Sequence, residues 1–197
     1  MMFTELFVPK GRLTADRRRR LAQGFMSCMT GAGDEMDERQ AAVFASQFQV
    51  VVHEPETWVV GSDLAGDPPP YLVRVHVPGP WRKDTSEHII TTYTRLIVEE
   101  DPGAAVQVHV LGVADGSMGV RGEAKTSTGL VEMMNDPLRQ DLAEGRAVVD
   151  PICDMIVMLD KAPTLEWEGT LYGFCCKDCR TEFVKRQEKK AARAASG

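Results

Sequence analysis

The chain has 197 residues, of which 43% are hydrophobic and 26% are charged, a composition typical of globular proteins. Its formal net charge is −6, which argues against a nucleic-acid or membrane-surface binder, because such binding needs a concentrated positive field. No apolar run approaches the roughly 20 residues that span a bilayer, and the N-terminus lacks the apolar stretch of a signal peptide. We therefore expect a soluble, cytoplasmic protein.

The first two thirds of the chain predict a strand, a helix and a strand twice over. The first set comprises a strand at 2–8, a helix from Thr14 to about Met29 that Gly31 and Gly33 end, an irregular stretch, and strands at 49–54 and 57–64. The second set comprises a strand at 71–77, a helix at 84–99 and a strand at 105–113. The strands that begin at Met2 and Tyr71 indicate an internal duplication.

This duplication predicts an α+β domain over residues 1–135, with repeats at about 2–66 and 71–135. Strands within each repeat would pair in parallel and form one four-stranded sheet, with two helices on one face. The other face must also be buried, which oligomerisation usually achieves. Beyond this domain we expect a linking helix at 136–147, a small second domain at 148–190 and a tail at 191–197.

The small second domain contains four of the five cysteines, Cys153, Cys175, Cys176 and Cys179. Without a secretion signal, such a cluster more often means metal or redox chemistry than a disulfide framework. Residues 165–174 predict a hairpin around Gly169, and residues 176–194 predict a helix.

The cysteine spacing agrees with a metal site. Cys175 and Cys179 are four residues apart, so both would project from one face at a helix start. Their thiolates would reach one ion at about 2.3 Å, and Cys153 would approach it from a turn on the other side. A domain of about 40 residues has too little core to fold readily alone, and a bound metal would stabilise it.

Thiolate ligands favour Zn²⁺ or Cu(I), and we expect zinc first. The fourth ligand is open among Asp150, Asp154, Cys176, a histidine of the other domain and water. The competing interpretation is that these thiols are small buried hydrophobes or form a disulfide.

The cysteine segment also resembles a YHS domain, one of the TRASH-like heavy-metal-binding modules. That family shows Asp-Pro-x-Cys-x-Met, a hairpin with glycine, then an aromatic residue before Phe-Cys-x-x-x-Cys and a later Phe. The corresponding residues here are Asp150, Pro151, Cys153, Met155, Gly169, Tyr172, Phe174, Cys175, Cys179 and Phe183. The resemblance implies binding of zinc, copper or a related soft metal. Family members commonly have Ser or another small residue at Cys176, which is either a fourth ligand or a neighbour.

The duplicated region resembles the tautomerase superfamily, which includes 4-oxalocrotonate tautomerase and MIF-like proteins. The resemblance lies in MFTELFVPKGRLTADRRRRLAQGF and in YLVRVHVPGPWRKDTSEHIITTYTRLI followed by VQVHVLGVADGSMGVRGE. It implies a tandem βαβ protomer, usually a homotrimer. Catalysis in that family depends on an amino-terminal proline, and Met2 occupies that position here. Arg12 matches the loop arginine that binds the substrate carboxylate, and Arg82 lies in the corresponding loop of the second repeat, although both would also suit solvated loops.

Two functions follow from these patterns. The first is metal binding by Cys153, Cys175, Cys179 and Cys176 on an oligomeric scaffold that lacks the catalytic proline. The second is an isomerase or lyase acting on a small keto, enol or unsaturated carboxylic acid, with Arg12 and Arg82 holding the carboxylate. In the second case the base would be the terminal amine or an unidentified residue, so enzymatic activity is open.

Overall fold

The computed structural model of the chain describes residues 2–29, 36–64 and 66–195. Its strands are β1 Met2–Phe7, β2 Phe48–His53, β3 Val59–Val60, β4 Asp63–Leu64, β5 Pro70–Pro78, β6 Ala105–Val113, β7 Met118–Val120, β8 Glu123–Lys125, β9 Ala147–Val149, β10 Ile156–Met158, β11 Thr164–Trp167 and β12 Thr170–Gly173. Its α-helices are α1 Ala15–Met29, α2 Glu38–Ser46, α3 Arg82–Glu100, α4 Ser127–Asn135, α5 Arg139–Ala143 and α6 Lys177–Ala195. Within these ranges, no helix combines the length and apolarity that crossing a membrane requires.

The chain divides into two compact units. The first comprises Met1–Ala32 and Ala45–Thr128, and the second comprises Gly33–Phe44 and Gly129–Gly197. The second unit therefore includes a segment from the first quarter of the chain. The domain boundaries expected from the sequence stay a prediction.

A four-stranded sheet organises the first unit, with strand order β2-β1-β5-β6. β1 pairs in parallel with β2, β5 pairs in parallel with β6, and the two pairs meet where β1 and β5 run antiparallel. A mixed four-stranded sheet of this kind is what two βαβ repeats predict. The predicted α+β fold class is confirmed.

The core of the first unit lies on the face of the sheet that carries the even-numbered residues of β1. Met2, Thr4 and Leu6 on that strand are buried, as the period-2 alternation of a half-buried strand requires. Helices α1 and α3 meet there through the stacked rings of Phe25 and Tyr93, whose centroids are 4.0 Å apart. Both rings are fully buried, so they anchor the two helices to each other.

The opposite face of the sheet carries the odd-numbered residues of β1, and we call it the open face. Phe3, Glu5 and Phe7 pair there with His76, Arg74 and Leu72 of β5. These β1 side chains are half-buried. Two further apolar side chains on the strands at the sheet edges, Val51 and Leu111, are 38% and 41% exposed.

Three parts of the secondary structure differ from expectation. The stretch expected to be irregular contains helix α2, and the expected strand at 57–64 is the short hairpin of β3 and β4. Residues 136–147, expected as one helix, form a 3-10 turn at Asp136–Leu138, then α5 and the start of β9. The helix stop assigned to Gly31 and Gly33 lies outside the described residues.

The second unit is built from short elements. β9 pairs with β10, and β11 pairs with β12, both antiparallel. The hairpin between β11 and β12 turns at Glu168 and Gly169, both with positive φ, where glycine is favoured because it has no Cβ. The hairpin and the helix that follows it agree with the elements expected from the sequence.

Candidate metal centre

Three thiols and one carboxylate converge in the second unit. The ligand atoms of Asp150, Cys153, Cys175 and Cys179 all lie within 4.8 Å of one another. Asp150 directly follows β9, Cys153 lies in the turn before β10, and Cys175 and Cys179 lie just before and inside the first turn of α6. The structure thus brings together the three cysteines that the sequence spacing selected, and of the candidate fourth ligands it places the Asp150 carboxylate among them.

The turn between β9 and β10 positions Cys153. It is closed by hydrogen bonds from the Asp150 N–H to the Met155 carbonyl, 2.8 Å, and from the Asp154 N–H to the Asp150 carbonyl, 3.0 Å. Asp154 has a φ of +62°, a conformation that Asp tolerates better than most residues. The side chain of Asp150 also accepts the Ile152 N–H at 2.8 Å, as Asp commonly does in turns.

The second oxygen of Asp150 reaches the other half of the site. It accepts the backbone N–H of Cys175 at 2.8 Å, which joins residues that are 25 positions apart. The Asp150 carboxyl is fully buried, and burial raises its pKa above the usual value. This carboxyl therefore fixes Cys175 beside the turn that carries Cys153.

The distances between sulfur atoms suit a single thiophilic ion. The Cys175 Sγ lies 3.4 Å from the Cys153 Sγ and 3.5 Å from the Cys179 Sγ. A tetrahedral ion with metal–sulfur bonds of about 2.3 Å would place its sulfur ligands about 3.8 Å apart. A few tenths of an ångström of movement would bring these two sulfur pairs to that spacing.

The thiols of the cluster affect one another's ionisation. The hydrogen bond between Cys153 and Cys175 lowers the pKa of the Cys153 thiol and raises the pKa of the Cys175 thiol. Thiolates this close repel one another, so they cannot all be charged unless a cation lies between them.

Cys176 lies beside this group and outside it. Its Sγ is 3.7 Å from the Cys175 Sγ. It directly precedes α6, and its Sγ accepts the N–H of Cys179 at 3.5 Å, which is the contact that a helix N-cap side chain makes.

Aromatic packing holds the hairpin against α6. Phe183 on α6 is buried, and its ring centroid lies 4.6 Å from that of Tyr172, 5.4 Å from that of Phe174 and 6.4 Å from that of Trp167. Because these three rings belong to the hairpin or directly follow it, the packing sets where α6 begins and therefore where Cys179 points.

Two amide side chains form hydrogen bonds with the backbone of the turn that carries Cys153 and of the strand residue that follows it. Asn135 donates to the Asp154 carbonyl and accepts the Ile156 N–H, both at 2.8 Å. Gln40 of α2 is buried and donates to the Ile156 carbonyl at 2.8 Å. Neither residue belongs to the site that the sequence predicts. Only the polar character of two positions on otherwise apolar helix faces could have indicated them.

The structure places the tautomerase-like positions in the first unit, where Met2 and Arg12 are held by protein contacts. Met2 is buried, and its N–H donates to the Gln47 carbonyl at 3.2 Å. Arg12 forms a bidentate ion pair with Asp101, in which its Nε donates to Oδ2 at 2.8 Å and its Nη2 donates to Oδ1 at 2.7 Å. A substrate carboxylate at Arg12 would therefore compete with Asp101. Arg82 begins α3 and is exposed.

Solved structures with a similar fold come from the tautomerase superfamily. Native fused 4-OT is 15% identical with a TM-score of 0.51, over 62% of this chain and 94% of that chain. Pt0534 inactivated by 2-oxo-3-pentynoate is 13% identical with a TM-score of 0.51, over 64% and 98%. A fused 4-OT solved as a symmetric trimer is 12% identical with a TM-score of 0.50, over 62% and 94%.

These likenesses show a tautomerase-like fold, as the resemblance predicted. No protein-family model and no curated protein matches the chain.

Asp101, the partner of Arg12, also accepts a hydrogen bond from Tyr71, and this bond leads to a stability prediction. The buried Tyr71 hydroxyl donates to Asp101 at 2.8 Å, so Tyr71→Phe should reduce the free energy of unfolding by about 1.5–3 kcal/mol, as expected for a hydrogen bond to a charged group. The measurement is urea denaturation at neutral pH. Tyr172→Phe is the control, because the Tyr172 hydroxyl makes no hydrogen bond to any described residue. Equal effects of the two variants would contradict the assignment.

The same network predicts a pH dependence. The hydrogen bond from Arg12 lowers the pKa of Asp101 in the folded chain. The ionised Asp101 therefore contributes its full stabilisation of the folded chain at pH values above about 3.9, the pKa of Asp in an unfolded chain. This contribution is lost as the pH falls through the lower pKa of Asp101 in the folded chain. The stability difference between the wild type and Asp101→Asn should narrow below about pH 4. A difference that stays constant would contradict the shift.

Proposed function

We propose that this chain binds one thiophilic metal ion in a YHS-like, TRASH-like module carried by an oligomeric tautomerase-like scaffold. The ligands are Cys153, Cys175 and Cys179, and Asp150 is the candidate for the fourth position. Zinc is the expected ion, and Cu(I) is the alternative. The observation that carries the proposal is the convergence of three thiols and one buried carboxylate within 4.8 Å.

The donor set fits zinc chemistry. Structural zinc is bound tetrahedrally by Cys sulfur, His nitrogen or carboxylate oxygen. Each Asp150 oxygen accepts one backbone N–H and retains a further lone pair. Asp150 can therefore supply an oxygen at the fourth position while it holds Cys175 in place. A water molecule at that position would leave the site open for exchange.

The charge balance also favours a divalent ion. Three ionised thiols in a half-buried site would repel one another strongly, and Zn²⁺ offsets two of the three charges. The metal would also connect the β9–β10 turn to the start of α6, and so stabilise a unit built from short strands.

Assembly follows from the open face of the sheet. The open face carries apolar side chains that are half-buried or exposed within the first unit, namely Phe3, Phe7, Val51, Leu72 and Leu111. We propose a homotrimer in which this face packs against the other copies. The solved fused 4-OT described as a symmetric trimer has the same fold and supports this choice.

We also propose a cytoplasmic location. The cluster of Cys153, Cys175 and Cys179 can bind a thiophilic ion only when its thiols are reduced, and reducing compartments such as the cytoplasm maintain reduced thiols.

The alternative function is a tautomerase-like isomerase or lyase for a small keto, enol or unsaturated carboxylic acid. The fold favours it. Met2 provides no proline amine, and its backbone N–H is already hydrogen-bonded. The guanidinium of Arg12 is held by Asp101, so of the two predicted carboxylate-binding arginines Arg82 is the exposed one without such an ion pair to a described residue. These contacts make metal binding the function that the geometry supports best.

Metal content tests the proposal. Protein purified reduced and without a histidine tag should contain bound zinc or copper by ICP mass spectrometry, and zinc should amount to about one ion per chain, since the site provides one set of four donors. Cys175→Ser combined with Cys179→Ser should lose the ion because two ligands are removed. Cys28→Ser is the control, because burial raises the pKa of that thiol to about 11 and Cys28 lies on α1 of the first unit. Absence of metal from the wild type after incubation with zinc would overturn the proposal.

Oligomeric state tests the scaffold. Light scattering coupled to size exclusion should give three times the chain mass of 21.8 kDa for the wild type. Val51→Glu combined with Leu111→Glu should dissociate the assembly, because each charge would be buried at the interface. Leu171→Glu, at a 54% exposed position of the β11–β12 hairpin, is the matched control and should leave the mass unchanged. A monomeric wild type would contradict the trimer.

A further inference from the structure

Cys175 occupies the centre of the thiol cluster. Its Sγ lies 3.4 Å from the Sγ of Cys153, 3.5 Å from that of Cys179 and 3.7 Å from that of Cys176. The four donors for one ion are Asp150, Cys153, Cys175 and Cys179. The thiol of Cys176 is left over, in contact with a sulfur that is already a ligand.

The position of Cys176 is fixed by the helix that follows it. As the residue directly before α6, it accepts the N–H of Cys179 through its sulfur. This contact turns the thiol toward the cluster. It also means that serine, a preferred N-cap residue, would replace cysteine here without loss of the cap.

We propose that Cys175 and Cys176 hold a second thiophilic monovalent cation, with the Cys175 sulfur bridging it to the first ion. This inference rests on the proposed metal-binding function and applies to Cu(I). A thiolate that binds one soft cation retains lone pairs for another. Cu(I) is satisfied by few sulfur ligands, whereas structural zinc requires four donors.

Charge favours the second cation. One Cu(I) offsets the charge of one thiolate, which leaves the remaining thiolates of the cluster repelling one another. A second monovalent cation between Cys175 and Cys176 reduces that repulsion. Both residues are half-buried, so the pair is partly open to solvent. The chain would thus bind one zinc ion but two Cu(I) ions.

The test is an anaerobic titration of the reduced, metal-free full-length chain with Cu(I), using bicinchoninate as a competing chelator. The wild type should withdraw two Cu(I) ions per chain, and Cys176→Ser should withdraw one. A parallel titration with zinc should end at one ion for both proteins, which also shows that the variant is folded. Cys28→Ser should behave as the wild type does.

The outcomes separate the two claims. One Cu(I) per chain in the wild type, or two in Cys176→Ser, would overturn the second site while one bound zinc leaves the proposed function intact. A wild-type chain that binds neither zinc nor Cu(I) would overturn the proposed function itself.

Discussion

The two hydrogen bonds that the buried carboxylate of Asp150 accepts determine the geometry of the second unit. One comes from Ile152, in the turn after β9, and the other comes from Cys175, just before α6. A buried carboxylate without such donors would be costly. The same two bonds hold the turn of Cys153 against the loop of Cys175. The convergence of the Cys153 and Cys175 thiols is therefore a consequence of satisfying one buried polar group.

The remaining contacts of the unit reinforce this constraint from two sides. Asn135 and Gln40 satisfy the backbone groups of Asp154 and Ile156, so the turn is held by amide side chains on two helices. On the other side, Phe183 packs against three rings of the β11–β12 segment. Polar satisfaction thus positions one half of the site, and apolar packing positions the other. A metal ion would connect two halves that the protein has already brought together.

The elements and site residues that could be predicted from the sequence are those with a local signal. Alternation predicted β1 and β5, helical spacing predicted α1 and α3, and the cysteine spacing selected three residues that the structure brings together. Prediction failed where the cause lies far away in the chain. Helix α2 belongs with residues more than 80 positions later, through Gln40, and Arg12 pairs with Asp101, which is 89 positions away. No local periodicity encodes such partners.

The most direct test of this account is X-ray absorption at the zinc edge of the zinc-loaded, reduced chain. The expected first shell contains three sulfur neighbours at about 2.3 Å and one oxygen or nitrogen neighbour at about 2.0–2.2 Å. A first shell with four sulfurs would contradict the place given to Asp150 and bring Cys176 into the site. A shell of oxygen and nitrogen alone would contradict the thiolate centre.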